Sequence, residues 1–438
     1  MSLPALEQSL IHSRILPTLS GLLSDNGTCF LVGGALRDAL DNRQSRDFDF
    51  ATAADPGPLA RALAAALHGH WFMLDANRRQ SRIVFTEGAS STVCDFAPFR
   101  GPDIDADLAL RDFTINAMAA LVRSDGRLDA LYDPLDGQQD LSQRLLRQCS
   151  AGVLFDDPLR ILKGLRHSLS LKLTIEADTR STMRRAACGI TAVAGERIRH
   201  ELALILSTTP ARAGLGVLQE MGLLHLLGRQ DGFMDEVGLD LMDRAESWEQ
   251  YLCQGGRGPW FREFFRQELE QGVSRSLVFK LAVWFRGQGI SGFQTVLQGL
   301  RCGRAVQNAV CGLLKVADEQ AARLLRPPES DRGKALWSED LAGQSRLALC
   351  YLALLLQRPF EQTARQLWPF LDALDRHQID GRVPPLVNGD WMRRYLHLQG
   401  PDIGRCLEQL RLQEIEGRIH SRAQAEFFLK TCRGQDLA

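Results

Sequence analysis

The sequence predicts an α+β chain, with a mixed sheet in an N-terminal domain and helices alone after it. Three observations predict this. Over roughly the first 145 residues, short apolar or alternating runs interleave with Ala/Leu-rich helical stretches. From Asp156 onward one amphipathic helical pattern follows another. Aromatic residues make up only 7% of the chain, which suits helix better than sheet.

Taken in order, Cys29–Val32 reads as a strand that breaks at Gly33-Gly34 into a helix over Ala35–Leu40. Asp47–Ala51 alternates polar and apolar residues, as a half-buried strand does. Pro58–His68 is Ala/Leu-rich and helical. Trp71–Asp75, Arg82–Thr86 and Ser91–Phe96 are strand candidates, with a turn at Gly88. Ala109–Leu121 is predicted helical and Gly126–Tyr132 a returning strand, before turns at Asp133-Pro134 and Asp136-Gly137. Further helices are expected at Pro158–Leu171, Glu196–Leu206, Leu215–Leu224, Leu277–Phe285 and Leu347–Leu356, with linkers at Arg326-Pro327-Pro328 and Gly381–Pro385. The expected divisions are a head over 1–145, a helical neck over 146–228, a helical body over 229–380 and a tail over 381–438.

Composition narrows the class. A length of 438 residues corresponds to about three domains. Fifty-two Lys plus Arg against 53 Asp plus Glu give a net charge of −1. That balance argues against a histone-like or basic-tailed binder and leaves room for a local basic groove. The ten cysteines contain no C-x-x-C pair, so zinc-ribbon and thioredoxin-like readings lack support. Met1–Ser20 lacks the basic start of a signal peptide. The longest apolar run, Leu347–Leu356, is about half the length needed to span a bilayer. A cytoplasmic protein without membrane segments is expected.

The first chemical constellation is Gly33-Gly34-x-x-Arg37-Asp38 followed by Asp47-x-Asp49. Glycines after a strand let a ligand approach the backbone, and a helix start favours phosphate. Arg37, about one turn in, can add a charge-assisted contact. Asp47 and Asp49 lie two apart on a strand, so their carboxylates share a side while Phe48 and Phe50 face the core. Paired carboxylates repel, and become sensible as oxygen ligands for Mg²⁺ that in turn binds substrate phosphates. Alone, Gly-Gly is a turn and Asp-x-Asp a solvated strand face; it is the combination that points to chemistry.

These residues carry a family resemblance. Leu31–Asp38 and Arg46–Phe50 resemble the head-domain signature of class II tRNA nucleotidyltransferases and bacterial poly(A) polymerases. Leu110–Met118 matches a second signature of that superfamily, and Phe155–Leu162 a third, which the family usually writes with Glu at the place of Asp156. Gly195–Ile198 with Glu201-Leu202 is similar to the fourth. The resemblance implies a polymerase-beta-like nucleotidyltransferase head. It implies addition of C or A to an RNA 3′ end from CTP and ATP by two-metal phosphoryl transfer, with tRNA as partner and no nucleic-acid template. Asp47 and Asp49 carry over as metal ligands and catalytic residues. Asp95 carries over as the third carboxylate, because it stands just before Pro98-Phe99-Arg100; a solvated strand Asp is the plain alternative. Arg111, Asp112 and Asn116 carry over to nucleotide binding with Gly33, Gly34 and Arg37, and Asn116 reads equally as a buried hydrogen-bonder. Asp156, Asp157 and Arg160 carry over as the nucleotide-selecting motif.

Asp157 and Arg160 also support a physical argument. Three apart near the start of a helix, they share a face. A carboxylate accepts and a guanidinium donates. Cytosine and adenine each present an amino donor beside a ring-nitrogen acceptor, so this pair matches both and mismatches uracil and guanine. The plain alternative is a surface ion pair, and Asp156 is read either as a base or ribose contact or as a helix cap.

Two departures from the family matter. The connection Phe99–Asp105 lacks the flexible loop of CCA-adding relatives, which raises addition of CC only. Lys280–Gly287 faintly resembles a His-Asp phosphohydrolase helix, but Phe285-Arg286 stands where His-Asp would be, so a helical body without that activity is expected. Pro384–Asp390, Gly400–Gly404 and Glu416–Ile419 resemble a tRNA-binding tail, where Arg393, Arg394, Arg405 and Arg411 are candidates to meet phosphates. A poly(A) polymerase is the second functional reading, although the chain ends without a basic extension; a catalytically inactive RNA-binding protein is the third. Oligomeric state is not legible.

Overall fold

The computed structural model describes residues 3–23, 27–87, 90–208, 210–227, 234–287, 290–315, 318–339, 341, 344–376 and 385–432. The expected turn at Gly88 and the linker residues 381–384 lie outside them. The chain divides into two compact units, residues 1–201 with 220–223, and residues 202–219 with 224–438.

The first unit holds the sheet. Its early elements are α1 (Leu3–His12), α2 (Ile15–Leu22), β1 (Cys29–Val32), α3 (Gly34–Leu40), β2 (Asp47–Thr52), α4 (Gly57–Ala66), β3 (His70–Asp75), β4 (Gln80–Glu87), β5 (Ser90–Pro98), α5 (Ile104–Ala109) and β6 (Ala119–Leu121). Six strands pair in the order β3-β4-β5-β2-β1-β6. β2 and β5 run parallel, and the other neighbours are antiparallel. Phe48 and Phe50 are buried while Asp47 and Asp49 are exposed, so the alternation read from the sequence is the actual facing of β2. Phe50 stacks on Phe96 of β5 at 4.9 Å between ring centres, fixing the central strands against the helices behind them.

The segment 109–121 departs from the expected helix. Its backbone groups find partners far along the chain instead of one turn back. Thr114 N–H donates to the Arg147 carbonyl at 2.9 Å, and Ala119 and Tyr132 exchange two bonds. The Asp112 carboxylate takes the Phe113 N–H at 2.8 Å, competing with helical pairing. The result is the end of α5, a single 3₁₀ turn over Thr114–Asn116, and strand β6. Gly126–Tyr132 is not a full strand either: Leu128 and Tyr132 make isolated bridges to Val122 and Ala119.

The rest of this unit contains α6 (Gly137–Ser142), β7 (Leu145–Leu146), α7 (Val153–Asp156), α8 (Leu159–Ser170), β8 (Thr174–Ile175), α9 (Ala177–Ala186) and the start of α10 (Gly195–Ser207). Contrary to expectation, strands do not end before Asp156, because β8 pairs with β7. α8 crosses close to the sheet domain because residue 164 is glycine. A Cβ there would lie 2.5 Å from Phe113 Cζ and 2.6 Å from Met183 Cε.

Among its described residues the second unit is almost wholly helical, with one short strand pair of Glu268–Glu270 and Val273–Ser274. The helix expected over Leu215–Leu224 is two, Ala211–Glu220 and Leu223–Leu226, separated at Gly222 with φ +71°. The apolar run Leu347–Leu356 forms most of the helix Ser345–Leu355, whose residues Leu347–Leu354 are buried. Among the described residues no helix is long and apolar enough to cross a membrane. Phe285, at the first of the two positions where His-Asp would stand, is buried in the core and stacks on Trp284. Lys280 is buried; its Nζ is 2.7 Å from Glu246 and donates to the Leu206 carbonyl. Arg326-Pro327-Pro328 joins the helices Asp318–Arg323 and Asp331–Glu339, and Trp391, Met392, Leu396 and Leu410 anchor a small C-terminal core.

Candidate active site

All of the catalytic and nucleotide-binding residues expected from the sequence line one open cleft of about 1300 Å³ in the first unit, and the tail arginines lie in the second unit. Its floor is the exposed face of β2 and β5. Asp47 and Asp49 project from β2, and the parallel register sets Asp95 of β5 opposite Asp49. On the other side of Asp95 the antiparallel register sets Arg82 of β4. Arg82 Nε and Nη2 donate to the two Asp95 oxygens at 2.7 Å each, a forked pair.

The carboxylates strain against one another. Burial first, and then Asp95, raises the Asp47 carboxyl above its ordinary range, while Arg82 opposes. Asp49 is pushed up to about 6 by burial, with Asp47 and Asp95 adding to it against the pull of Arg111. Water reaches Asp49, but the cleft walls surround it closely. A divalent cation relieves this repulsion, and two oxygen donors on one strand face suit a hard ion. The fit is partial at Asp95, whose oxygens are both engaged by Arg82. Among the described residues no group of three or more His, Cys, Asp or Glu is assembled to hold a metal ion.

At the end of β1, Gly33 has φ +79° and ψ −141°, a conformation that side chains avoid. A Cβ there would lie 3.0 Å from Asp49 Oδ2 and 3.3 Å from Arg111 Nη1. Glycine is therefore required both by the backbone and by the crowding of the site. Gly34 opens α3, and Arg37 one turn on donates to Asp38 at 2.9 and 2.7 Å and to Asn116 Oδ1 at 2.6 Å. Asn116 passes the link on, donating from Nδ2 to Asp112 at 3.1 Å. It is thus a buried hydrogen-bonder that ties α3 to the 3₁₀ turn.

Burial raises the Asp112 carboxyl, but His167, Lys163 and the Asn116 and Phe113 donors outweigh it and hold it below its ordinary range. His167 is driven down to about 3 by burial and then by Arg37 and Arg166, so its imidazole is neutral near pH 7. Arg111 is held by Asp107, whose Oδ2 accepts from its Nε and Nη2 at 3.0 and 2.7 Å. Asp107 is buried and also accepts the Arg100 N–H at 3.1 Å.

The remaining wall is α7, α8 and the start of α10. Asp156 ends α7 and does not cap α8, whose N-cap position is Pro158; Asp157 Oδ1 accepts the Leu159 N–H at 3.3 Å. Asp157 Oδ2 accepts from Arg197 at 3.0 Å. Arg160 Nη1 donates to the carbonyls of Arg111 and Val153 at 3.3 Å each. Both selecting residues thus have their own partners among protein groups, and the surface pair considered for them is replaced by these. Glu201 of α10 accepts from Arg166 of α8 at 2.9 Å, so the fourth signature braces the helix that carries the end of the third.

Sequence reasoning missed Arg82, Asp107, Lys163, Arg166 and His167. The last three follow Arg160 on α8 and carry a helical-period signal. Asp107 stands four residues before Arg111, a spacing that could have pointed to their pair, whereas Arg82 carries no local signal, since its partner lies on another strand.

Residues 29–147 match the poly A polymerase head domain family, and residues 172–228 match a family described as the probable RNA and SrmB-binding site of polymerase A. The chain is 35% identical over 433 residues to a CC-adding tRNA nucleotidyltransferase of Geobacter sulfurreducens, covering 95% of each. It is 36% identical over 401 residues to a CC-adding tRNA nucleotidyltransferase of Synechocystis sp., covering 90% of this chain and 91% of that one. A solved Thermotoga maritima CCA-adding enzyme complexed with tRNA shares the fold, with a TM-score of 0.68, 21% identity and 99% of each chain covered.

Proposed function

The chain belongs to the tRNA nucleotidyltransferase family, and on that premise we propose that it adds C residues to the 3′ end of tRNA without a nucleic-acid template, using CTP. The observation that carries the reading is the single cleft that gathers paired carboxylates on β2 with the acceptor Asp157 and the donor Arg160. CCA addition with ATP as second donor is the broader form of the same activity. The CC-only form is supported by the direct run from β5 at Pro98 into α5 at Ile104, with no room for a long loop.

Asp47 and Asp49 are the residues that would hold Mg²⁺, with Asp95 as a third ligand once it leaves Arg82. The bound ion supplies neutralisation of triphosphate charge and a more acidic 3′-hydroxyl. Gly33 and Gly34 leave no side chain between the backbone and the phosphates. Arg37, Arg111 and Lys163 line the cleft with positive charge for the triphosphate. Asp112 and Asn116 keep Arg37 aimed. Asp157 accepts from the amino group of the base and Arg160 donates to its ring nitrogen, which excludes uracil and guanine. Arg160 holds the two carbonyls through Nη1 alone, which leaves its other N–H groups for the base, and each Asp157 oxygen can accept a bond beside the one from Leu159 or Arg197. Asp156, one methylene shorter than the usual Glu of the family, reaches the ribose or base less well.

In this reading residues 1–145 are the catalytic head, 146–228 the neck, 229–380 a helical body and 381–438 a tail for tRNA, in a cytoplasmic enzyme. Tail residues Arg393 and Arg405 pair with Asp390 and Asp402 of their own helices, partners that phosphate would displace. The test uses tRNA lacking CCA, tRNA ending in CC, and an unrelated RNA, each with CTP and ATP. Two added C residues on the first and nothing on the second support the proposal. A terminal A removes the CC-only form, and an A ladder on unrelated RNA replaces the reading with poly(A) synthesis.

A further inference from the structure

We propose that Arg82 is a latch on the third carboxylate: it holds Asp95 out of the metal site until an incoming nucleoside triphosphate draws the guanidinium away. The inference rests on the functional reading above and adds a residue to it that neither signature nor spacing points to.

The sheet register carries the argument. Arg82, Asp95 and Asp49 stand opposite one another on adjacent strands β4, β5 and β2, roughly 4.8 Å from strand to strand. Asp95 therefore has a guanidinium on one side and the metal-facing carboxylates on the other. Its carboxylate is turned to the guanidinium, with both oxygens taken at 2.7 Å. A guanidinium fork weakens the carboxylate as a metal donor and leaves a positive charge next to the cation's place. The three carboxylates, although neighbours in the sheet, do not form a ready ligand set.

Arg82 can be released. Its side chain is 40% exposed and lines the cleft. Phosphate offers the guanidinium the same forked geometry with more charge. A triphosphate thus competes with Asp95 for Arg82, and the freed Asp95 completes the cation site. Metal and nucleotide then strengthen each other's binding by the same factor. The alternative role is that Arg82 stays on Asp95 and orients it as a ligand, and this predicts the opposite sign.

The test is Mn²⁺ binding to the full-length protein, followed by the electron paramagnetic resonance of free Mn²⁺, with and without CTP. Without nucleotide, Arg82→Met should bind Mn²⁺ on the order of tenfold more tightly than wild type, because a positive charge beside the cation is removed and Asp95 is freed. CTP should improve Mn²⁺ affinity less in the variant than in wild type. Asp95→Asn added to Arg82→Met should remove the gain. Arg82→Gln, with matched melting curves, supplies the same reading if the Met variant does not fold. Unchanged or weaker Mn²⁺ binding by the folded variants overturns the latch and favours the orienting role. The titration needs no turnover, so wild-type protein that adds no nucleotide to tRNA counts against the functional reading and not against the latch.

Discussion

Asp49→Asn should stabilise the metal-free protein while abolishing nucleotide addition. The Asp49 carboxyl rises from its ordinary 3.8 to about 6, chiefly through burial and then through Asp47 and Asp95. A folded-state value above the unfolded one favours folding below about pH 4. That advantage is lost as pH rises through 6, and above it the ionised group costs its full amount. A rise of that size corresponds to about 3 kcal/mol at most. Water reaches this carboxylate, so screening reduces the figure to about 1 kcal/mol. Asparagine keeps the shape and cannot ionise. Melting curves in EDTA should therefore show the variant higher at pH 8 by roughly 2–4 °C, for a cooperative unit of about 200 residues. The difference should vanish near pH 4. A variant no more stable than wild type at pH 8, or equally stabilised at both pH values, refutes the claim that the ionised Asp49 carboxylate, held in the cleft beside Asp47 and Asp95, destabilises the fold.

Other perturbations test the surrounding parts. Gly33→Ala places a methyl 3.0 Å from Asp49 Oδ2 at a φ of +79°; it should cost about 1–3 kcal/mol in denaturation and lower kcat/KM on the order of 100-fold. Asp157→Asn removes the charged acceptor, so CTP should lose roughly 10- to 100-fold of its preference over UTP in competition; unchanged preference would show that Asp157 does not read the base. Lys280→Met leaves Glu246 without its partner at 2.7 Å, and urea unfolding should show a loss of about 3–5 kcal/mol, with a neutral result meaning that water or rearrangement replaces the ammonium.

Much of the site was legible because its chemistry is local. Gly33-Gly34 must follow a strand, and Asp47 and Asp49 must share a face on any strand of period two. The α8 pattern likewise follows from helical spacing. What misled was the segment 109–121, whose apolar residues suit a helix locally but whose backbone is satisfied by Tyr132, Arg147 and Gln148. Local propensity lost there to hydrogen bonds that exist only once the sheet and the segment following β7 are in place.

The order and spacing of the residues thus determined the division into a sheet-bearing first part and a helical remainder, the faces of β2, and the residue types able to hold a cation, phosphates and a base. Only the tertiary structure decided which charges touch. Strand register joined Arg82 to Asp95 and set Asp95 beside Asp49. Close packing at Gly164 brought α8 against Phe113, and buried Asp107 aimed Arg111. The pairs Arg82–Asp95, Asp95–Asp49 and Gly164–Phe113 depend on distances between elements remote in the chain, and spacing along a sequence carries no such distances; Asp107 and Arg111 are only four apart, and there the structure decided the burial.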